Sequence, residues 1–236
     1  MSNERPERPA VESEIVEART HGRYFLRRPV AGEAKLLLVG CHGYGENAER
    51  HLPELEKIRG AGDFALVAIE ALNAFYERRS NQVVRGWMTR DLRERAIEDN
   101  LAYLRSVLDR VRPKVGWSVP LAFLGFSQGT AMAWRAAVRG GHDASAVVAL
   151  GGDLPPELAA LPRDRPFPPR VLLAAGEWDE WYTADKLAAD EAALAGRPIA
   201  VERFVYPGGH EWTDAVRARI GLFLGALPAA DLTRPA

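Results

Sequence analysis

Leu121-Ala-Phe-Leu-Gly125-Phe-Ser127-Gln-Gly129-Thr-Ala-Met-Ala-Trp134 reads as a buried strand that breaks abruptly into a helix, with a serine at the corner. It is a G-x-S-x-G element. The glycines two before and two after the serine leave room where side chains would strike the neighbouring strand and helix, and the strained turn lifts the hydroxyl clear of the sheet. The pentapeptide alone also fits a serine N-cap on an apolar helix. The apolar run 121–126 before it and the small-residue run 130–138 after it supply the strand-turn-helix context that separates the two readings. Ser127 is therefore the candidate nucleophile.

Outward from this element, buried strands and amphipathic helices alternate. Residues 35–41 form a continuous Leu/Val run without polar alternation, as in a strand covered on both faces, and end in Cys41-His42-Gly43-Tyr44-Gly45-Glu46-Asn47. A helix follows through Leu52, Leu55 and Ile58, then a strand over 64–69. Residues 71–90, rich in aromatics and arginines but without regular periodicity, read as a long functional loop. Leu92, Ile97, Leu101, Leu104, Leu108 and Val111 then mark a long helix ending near Pro113. Further strands are expected over 146–150, 171–175 and 200–206, and a closing helix carries Val216, Ile220, Phe223 and Leu224. Residues 154–170, with Pro155, Pro156, Pro162, Pro166, Pro168 and Pro169, read as an irregular surface connection. Near the start, 14–19 and 23–28 suggest an edge hairpin turning at Thr20-His21-Gly22. The whole predicts an α/β fold with a mostly parallel central sheet flanked by helices. In such sheets ligands bind at the carboxyl ends of the strands, so the loops bearing His42 to Gly45, Ser127, Asp179 and His210 should converge.

The bulk numbers narrow the function classes. A length of 236 residues, 47% hydrophobic, suits one domain over 13–228, with a flexible lead-in over 1–12 and a C-terminal tail over 229–236. A net charge of −1 gives no basic footprint for nucleic acid. The single cysteine, Cys41, rules out an internal disulfide framework and suits a buried thiol. The polar start lacks the apolar core of a secretory signal, and no apolar run reaches membrane-spanning length, so a cytoplasmic protein is expected.

A serine hydroxyl needs a base, and histidine is suited because its pKa lies near neutrality. Of five histidines, His210 follows the last strand in a Gly-Gly turn and comes after both serine and acid in chain order. His42 is read as bracing its own loop, while His51 and His142 look like surface residues. No H-E-x-x-H or Cys/His cluster recruits them to zinc, and no metal or cofactor is implied. A carboxylate should hold the imidazole in one tautomer, and Asp179 is the choice, with Glu177, Glu180, Asp185 and Asp153 as rivals. Two backbone N–H groups should face the developing oxyanion, those of Gln128 and Tyr44. His42 to Gly45 matches neither a G-x-G-x-x-G fingerprint nor a P-loop.

With Gly125-Phe-Ser127-Gln-Gly129, His42-Gly-Tyr-Gly45, Gly176-Glu-Trp-Asp179 and Gly209-His210 in view, the chain resembles the α/β-hydrolase superfamily. Within it, residues from about 35 to 225 look most like the phospholipase/carboxylesterase group that includes acyl-protein thioesterase-like enzymes. That likeness implies a triad of Ser127, Asp179 and His210, oxyanion donors at Tyr44 and Gln128, no large lid domain and no cofactor. Tyr44, where relatives often have leucine, and Gly86-Trp87-Met88, where they have a Trp-Phe-Asp-like loop, bear on substrate choice. The expected activity is hydrolysis of a small-molecule carboxylic ester or thioester through an acyl-enzyme. Trp87, Met88, Trp178 and Trp181, with Trp212, would form the apolar walls of the site. Arg78, Arg79 and Arg85 could face an anionic group or simply solvent. A homodimer is compatible with all of this. The rival readings are a non-catalytic binding protein on the same fold and a lipase or peptidase using the same triad.

Overall fold

The structure, a computed structural model, describes residues 11–228. The lead-in expected over 1–12, save Val11 and Glu12, and the tail expected over 229–236 lie outside those residues. Seven strands form one sheet: β1 (Tyr24–Arg27), β2 (Leu36–Cys41), β3 (Phe64–Ile69), β6 (Leu121–Phe126), β7 (Ala146–Leu150), β8 (Arg170–Gly176) and β9 (Ala200–Tyr206). Their spatial order is β1-β3-β2-β6-β7-β8-β9. Only β1 runs antiparallel to its neighbour; Val39, for example, lies between Val67 and Phe123 in the parallel part.

Every residue of β2, β3, β6 and β7 is buried, which explains their unbroken apolar runs. Successive side chains point to opposite faces and feed two separate cores. Leu37, Val39 and Cys41 pack with Leu104 and Leu108 of α2 (Arg93–Val115), Met132 of α3 (Gln128–Arg139) and Leu187 of α5 (Ala184–Leu194). Leu36 and Leu38 pack with Leu55 of α1 (Ala48–Glu56) and Ile220 of α6 (Asp214–Gly225). Helices thus cover both faces of the sheet. Among the described residues no helix is long and apolar enough to cross a membrane.

Three expectations are corrected. No hairpin forms near the start: β1 pairs with β3, and residues 14–19 form no strand. Ile15 and Val16 are adjacent rather than alternating, so a strand could not bury both on one face, and both are exposed. The stretch 71–90 is not a plain loop but carries an antiparallel hairpin of β4 (Asn73–Tyr76) and β5 (Val83–Gly86). Most of its side chains face outward, which hides the strand period. The prolines of 154–170 do leave an irregular connection, broken only by the one-turn α4 (Pro156–Ala159).

The third correction concerns His51 and His142. The Trp117 ring stacks on His142, whose side chain is only 7% exposed. His51 lies on the inner face of α1 with Ala48 and Leu55, and is 1% exposed. A Cβ at Gly40 would come within 2.7 Å of its Nε2, so the helix and β2 meet through that glycine. Neither ring nitrogen of His51 has a hydrogen-bond partner among the described residues. Burial pushes its pKa down to about 3.

His42 at the end of β2 is also buried. Its Nε2 accepts from the Ala71 N–H at 3.1 Å, so its Nδ1 carries the proton and donates to the Gly43 carbonyl at 2.7 Å. Burial pushes its pKa down to about 4. Both rings are neutral when folded and protonatable when unfolded, so the unfolded chain binds more protons below pH ~6.5. Their contribution to stability is complete above that pH and is lost as the pH falls toward 4. Urea unfolding should therefore show a loss between pH 7 and pH 5 of about 2 kcal/mol for each histidine. The His51→Leu variant should lose about half of this dependence, and an unchanged pH slope in that variant would contradict the assignment.

Candidate active site

The four loops at the carboxyl ends of the parallel strands build the site from the serine outward. Ser127 stands between β6 and α3 at φ 54°, ψ −123°, a backbone conformation that side-chain-bearing residues seldom adopt. Its N–H donates to the Leu150 carbonyl at 2.9 Å, and its own carbonyl accepts from Thr130 at 3.0 Å. The glycines around it are obligatory by space. A Cβ at Gly125 would lie 2.3 Å from the Thr130 Cα, and one at Gly129 would lie 2.1 Å from the Cys41 carbonyl oxygen. The serine corner read from the sequence is thus present as a strained strand-to-helix turn. Cys41 is fully buried, with its thiol held in the protonated form by that burial.

Asp179 follows β8 and has a fully buried side chain. Its Oδ1 accepts from the N–H groups of Trp181 and Tyr182, both at 2.8 Å, and its Oδ2 lies 2.8 Å from His210 Nδ1. The acid is therefore aimed by its own turn. Of its rivals, Glu177, Glu180 and Asp185 are exposed, and Asp153 pairs with Lys186 at 3.2 Å.

His210 stands in the loop after β9, with its side chain 21% exposed. A carboxylate oxygen accepts, so the neutral ring carries its proton on Nδ1 and presents the Nε2 lone pair. The ring stacks on Phe126, the residue before Ser127, at 5.0 Å between centroids. A Cβ at Gly151 would lie 3.2 Å from His210 Cε1 and 3.4 Å from Asp179 Oδ2, so the loop after β7 closes over the pair. No hydrogen bond joins Nε2 to the Ser127 hydroxyl among the described residues. Such bonds are commonly loose in enzymes without substrate.

In the glycine-rich loop after β2 the amides on either side of Tyr44 are engaged. Gly43 N–H donates to Glu46 Oε2 at 2.9 Å and Gly45 N–H to the Arg85 carbonyl at 2.9 Å, so Tyr44 N–H is the amide between two that are engaged. Gln128 is the first residue of α3, and its N–H has no carbonyl one turn back to meet. Burial raises the Glu46 carboxyl above the usual carboxylate range. Glu46 is a site-forming residue that the sequence reading passed over, as are Glu70 and Asn100. The spacing Ala48, His51, Leu55 was the helical signal that could have placed His51 inside.

The aromatic walls divide. Trp87 is fully buried and Met88 is 8% exposed, both in the core beneath α2, so of the residues expected to form apolar walls these two present almost no surface. Trp87 Nε1 donates to the His42 carbonyl at 2.8 Å, and this satisfied polar tip lets the whole indole enter the core. Trp178 and Trp181 are 65% and 72% exposed on the Asp179 loop. Trp212 packs against Phe126 at 5.8 Å. Arg85 is committed to the buried Glu70 at 3.3 Å, whereas Arg78 and Arg79 are exposed in the hairpin turn.

No protein-family model matches the chain, and no curated sequence does. Solved structures do. The chain is similar to the esterase PE8, with a TM-score of 0.70 and 21% identity over 88% of this chain and 99% of that one. It is similar to Zea mays acyl-protein thioesterase 2, with a TM-score of 0.67 and 21% identity over 87% and 99%. The Bacillus cereus carboxylesterase gives a TM-score of 0.64 at 16% identity over 86% and 93%. At these identities the likeness concerns the backbone, and with the parallel sheet, the serine corner and the strand-end loops it shows that this chain has the α/β-hydrolase fold.

Proposed function

We propose that the protein is a serine hydrolase of carboxylic esters or thioesters, related to the phospholipase/carboxylesterase group. The observation that carries this reading is the 2.8 Å contact between Asp179 and His210 beside a serine in a strained strand-to-helix turn. Ser127 Oγ attacks the acyl carbon while His210 Nε2 takes its proton, and Asp179 offsets the charge that appears on the ring. The carbonyl oxygen becomes an oxyanion facing the N–H groups of Tyr44 and Gln128. Collapse breaks the bond to the leaving alcohol or thiol, which receives the proton from His210, and leaves an acyl-serine. Water then repeats the sequence: it gives a proton to His210, attacks the acyl carbon and releases the acid with Ser127 restored.

The esterase and thioesterase names of the structural neighbours support the substrate class. An acyl group has the exposed indoles of Trp178 and Trp181 available as apolar contact, since Trp87 and Met88 are taken up by the core.

Ser127→Ala should lower turnover of p-nitrophenyl acetate by roughly ten-thousand-fold or more and abolish labelling by a fluorophosphonate probe. Turnover equal to the unsubstituted protein would remove the catalytic reading. Asp179→Asn should retain the fold and lose about ten-thousand-fold in kcat, because the amide favours the wrong tautomer of His210. Truncating Trp181 to alanine should lower kcat/KM severalfold more for a hexanoyl ester than for an acetyl ester. Equal losses for the two esters would show that this indole does not meet the acyl chain.

A further inference from the structure

The two amides assigned to the oxyanion hole belong to different segments, the loop after β2 and the start of α3. Their separation must be set by whatever touches both. Residues 85–88, at the end of β5, do so on each side. Arg85 N–H donates to the Glu46 carbonyl at 2.7 Å, and the Arg85 carbonyl accepts from Gly45 N–H at 2.9 Å, which pins the chain immediately after Tyr44. The next residue, Gly86, would place a Cβ 3.0 Å from the Tyr44 ring, so the tyrosine lies directly on the strand. On the other side the Gln128 carboxamide uses both of its polar ends. Its Oε1 accepts from Trp87 N–H at 2.7 Å, and its Nε2 donates to the Met88 carbonyl at 2.9 Å.

This segment is itself anchored from below. Asn100 of α2, 1% exposed, donates to the Trp87 carbonyl at 2.9 Å, and the Trp87 indole N–H reaches the His42 carbonyl at 2.8 Å. Arg85 holds its place through Glu70, a carboxylate 1% exposed that also takes two bonds from Arg23, at 3.2 and 2.9 Å. A residue at the serine corner needs only its backbone N–H to serve the oxyanion. The side chain of Gln128 is therefore free for a second task, and it matches the spacing of two consecutive backbone groups.

Resting on the hydrolase reading above, we propose that the Gln128 carboxamide is a positioning residue that fixes the oxyanion hole by clamping residues 87 and 88, with the 85–88 segment acting as the spacer between the amides of Tyr44 and Gln128. Oxyanion donors act only when held near the place the oxygen reaches in the tetrahedral state, so loosening the spacer removes stabilisation present in that state alone.

The test compares Gln128→Met and Gln128→Glu with the unsubstituted protein, using p-nitrophenyl butyrate as substrate and butylboronic acid as the tetrahedral mimic. Gln128→Met keeps the length of the side chain and loses both hydrogen bonds. It should lower kcat roughly ten- to hundredfold, leave KM within about threefold, and weaken the boronate in proportion to the fall in kcat/KM. In Gln128→Glu the ionised carboxylate still accepts from Trp87 N–H but faces the Met88 carbonyl without a donor. Its deficit relative to the unsubstituted protein should be largest at pH 8 and shrink toward pH 5, as the protonated acid regains an O–H donor.

A folded Gln128→Met protein with kcat and boronate affinity within twofold of the unsubstituted protein overturns the proposal, as does a fall in kcat with unchanged boronate affinity. Should Gln128→Met fail to fold, Gln128→Glu decides alone, and a deficit constant from pH 5 to pH 8, or none, counts against the clamp. Activity retained in Ser127→Ala would instead overturn the hydrolase reading itself.

Discussion

Gly129 lies so close to the end of β2 that a Cβ there would sit 2.1 Å from the Cys41 carbonyl oxygen, and the geometry of the site follows from that approach. It brings the start of α3 against the strand that delivers His42, Gly43 and Tyr44. The serine holds a backbone conformation that costs on the order of 1–3 kcal/mol for a residue with a side chain. The bonds to Leu150 and Thr130, and the Thr130 hydroxyl bonds to the Gly125 and Leu150 carbonyls at 2.9 and 3.1 Å, hold the turn in that state. Strain at Ser127 and close packing at Gly129 are therefore one feature seen from two sides.

Burial of the acid shows the same economy of geometry. A carboxylate is tolerated in a water-poor site when its oxygens are satisfied, and Asp179 has a donor or ring nitrogen for each. Since Oδ1 is held by two backbone amides, only Oδ2 faces the imidazole, and the ring orientation follows. The stacking of His210 on Phe126 adds a second constraint in the plane normal to that contact. The imidazole is thereby fixed by one polar contact and one apolar one, with no need for deep burial.

Much of this was legible because parallel strands buried on both faces write themselves as uninterrupted apolar runs. β2, β3, β6, β7 and β8 all do so, and the glycines that follow β2, β6 and β7 or end β8 mark a backbone that must leave the sheet sharply. The β4–β5 hairpin carries no such mark. With β4 largely exposed and only Val84 and Gly86 of β5 buried, its pairing rests on backbone hydrogen bonds that leave no hydropathy pattern. His51 was misplaced for a different reason: a polar residue type outweighed its helical phase with Leu55. Asn100 and Glu70 were invisible because each acts through a partner far away in sequence, Trp87 in one case and both Arg23 and Arg85 in the other.

Trp87 and Trp181 sit in different hydrogen-bonding surroundings. Trp87 lies in the core with its indole N–H met by the His42 carbonyl. On the acid loop, Tyr182 turns inward, where its hydroxyl donates to the buried Asp190 at 2.8 Å. Trp181 and Tyr182 both give their N–H groups to the same Asp179 oxygen, and with one of these neighbours drawn inward the other is turned to solvent. The Trp181 carbonyl is pinned in turn by Lys186 at 2.8 Å. The contacts that aim the acid at His210 thus also present an indole on the outer side of that loop. An apolar surface next to the acid is a by-product of holding the acid still, and a change in the Asp179 turn would alter both together.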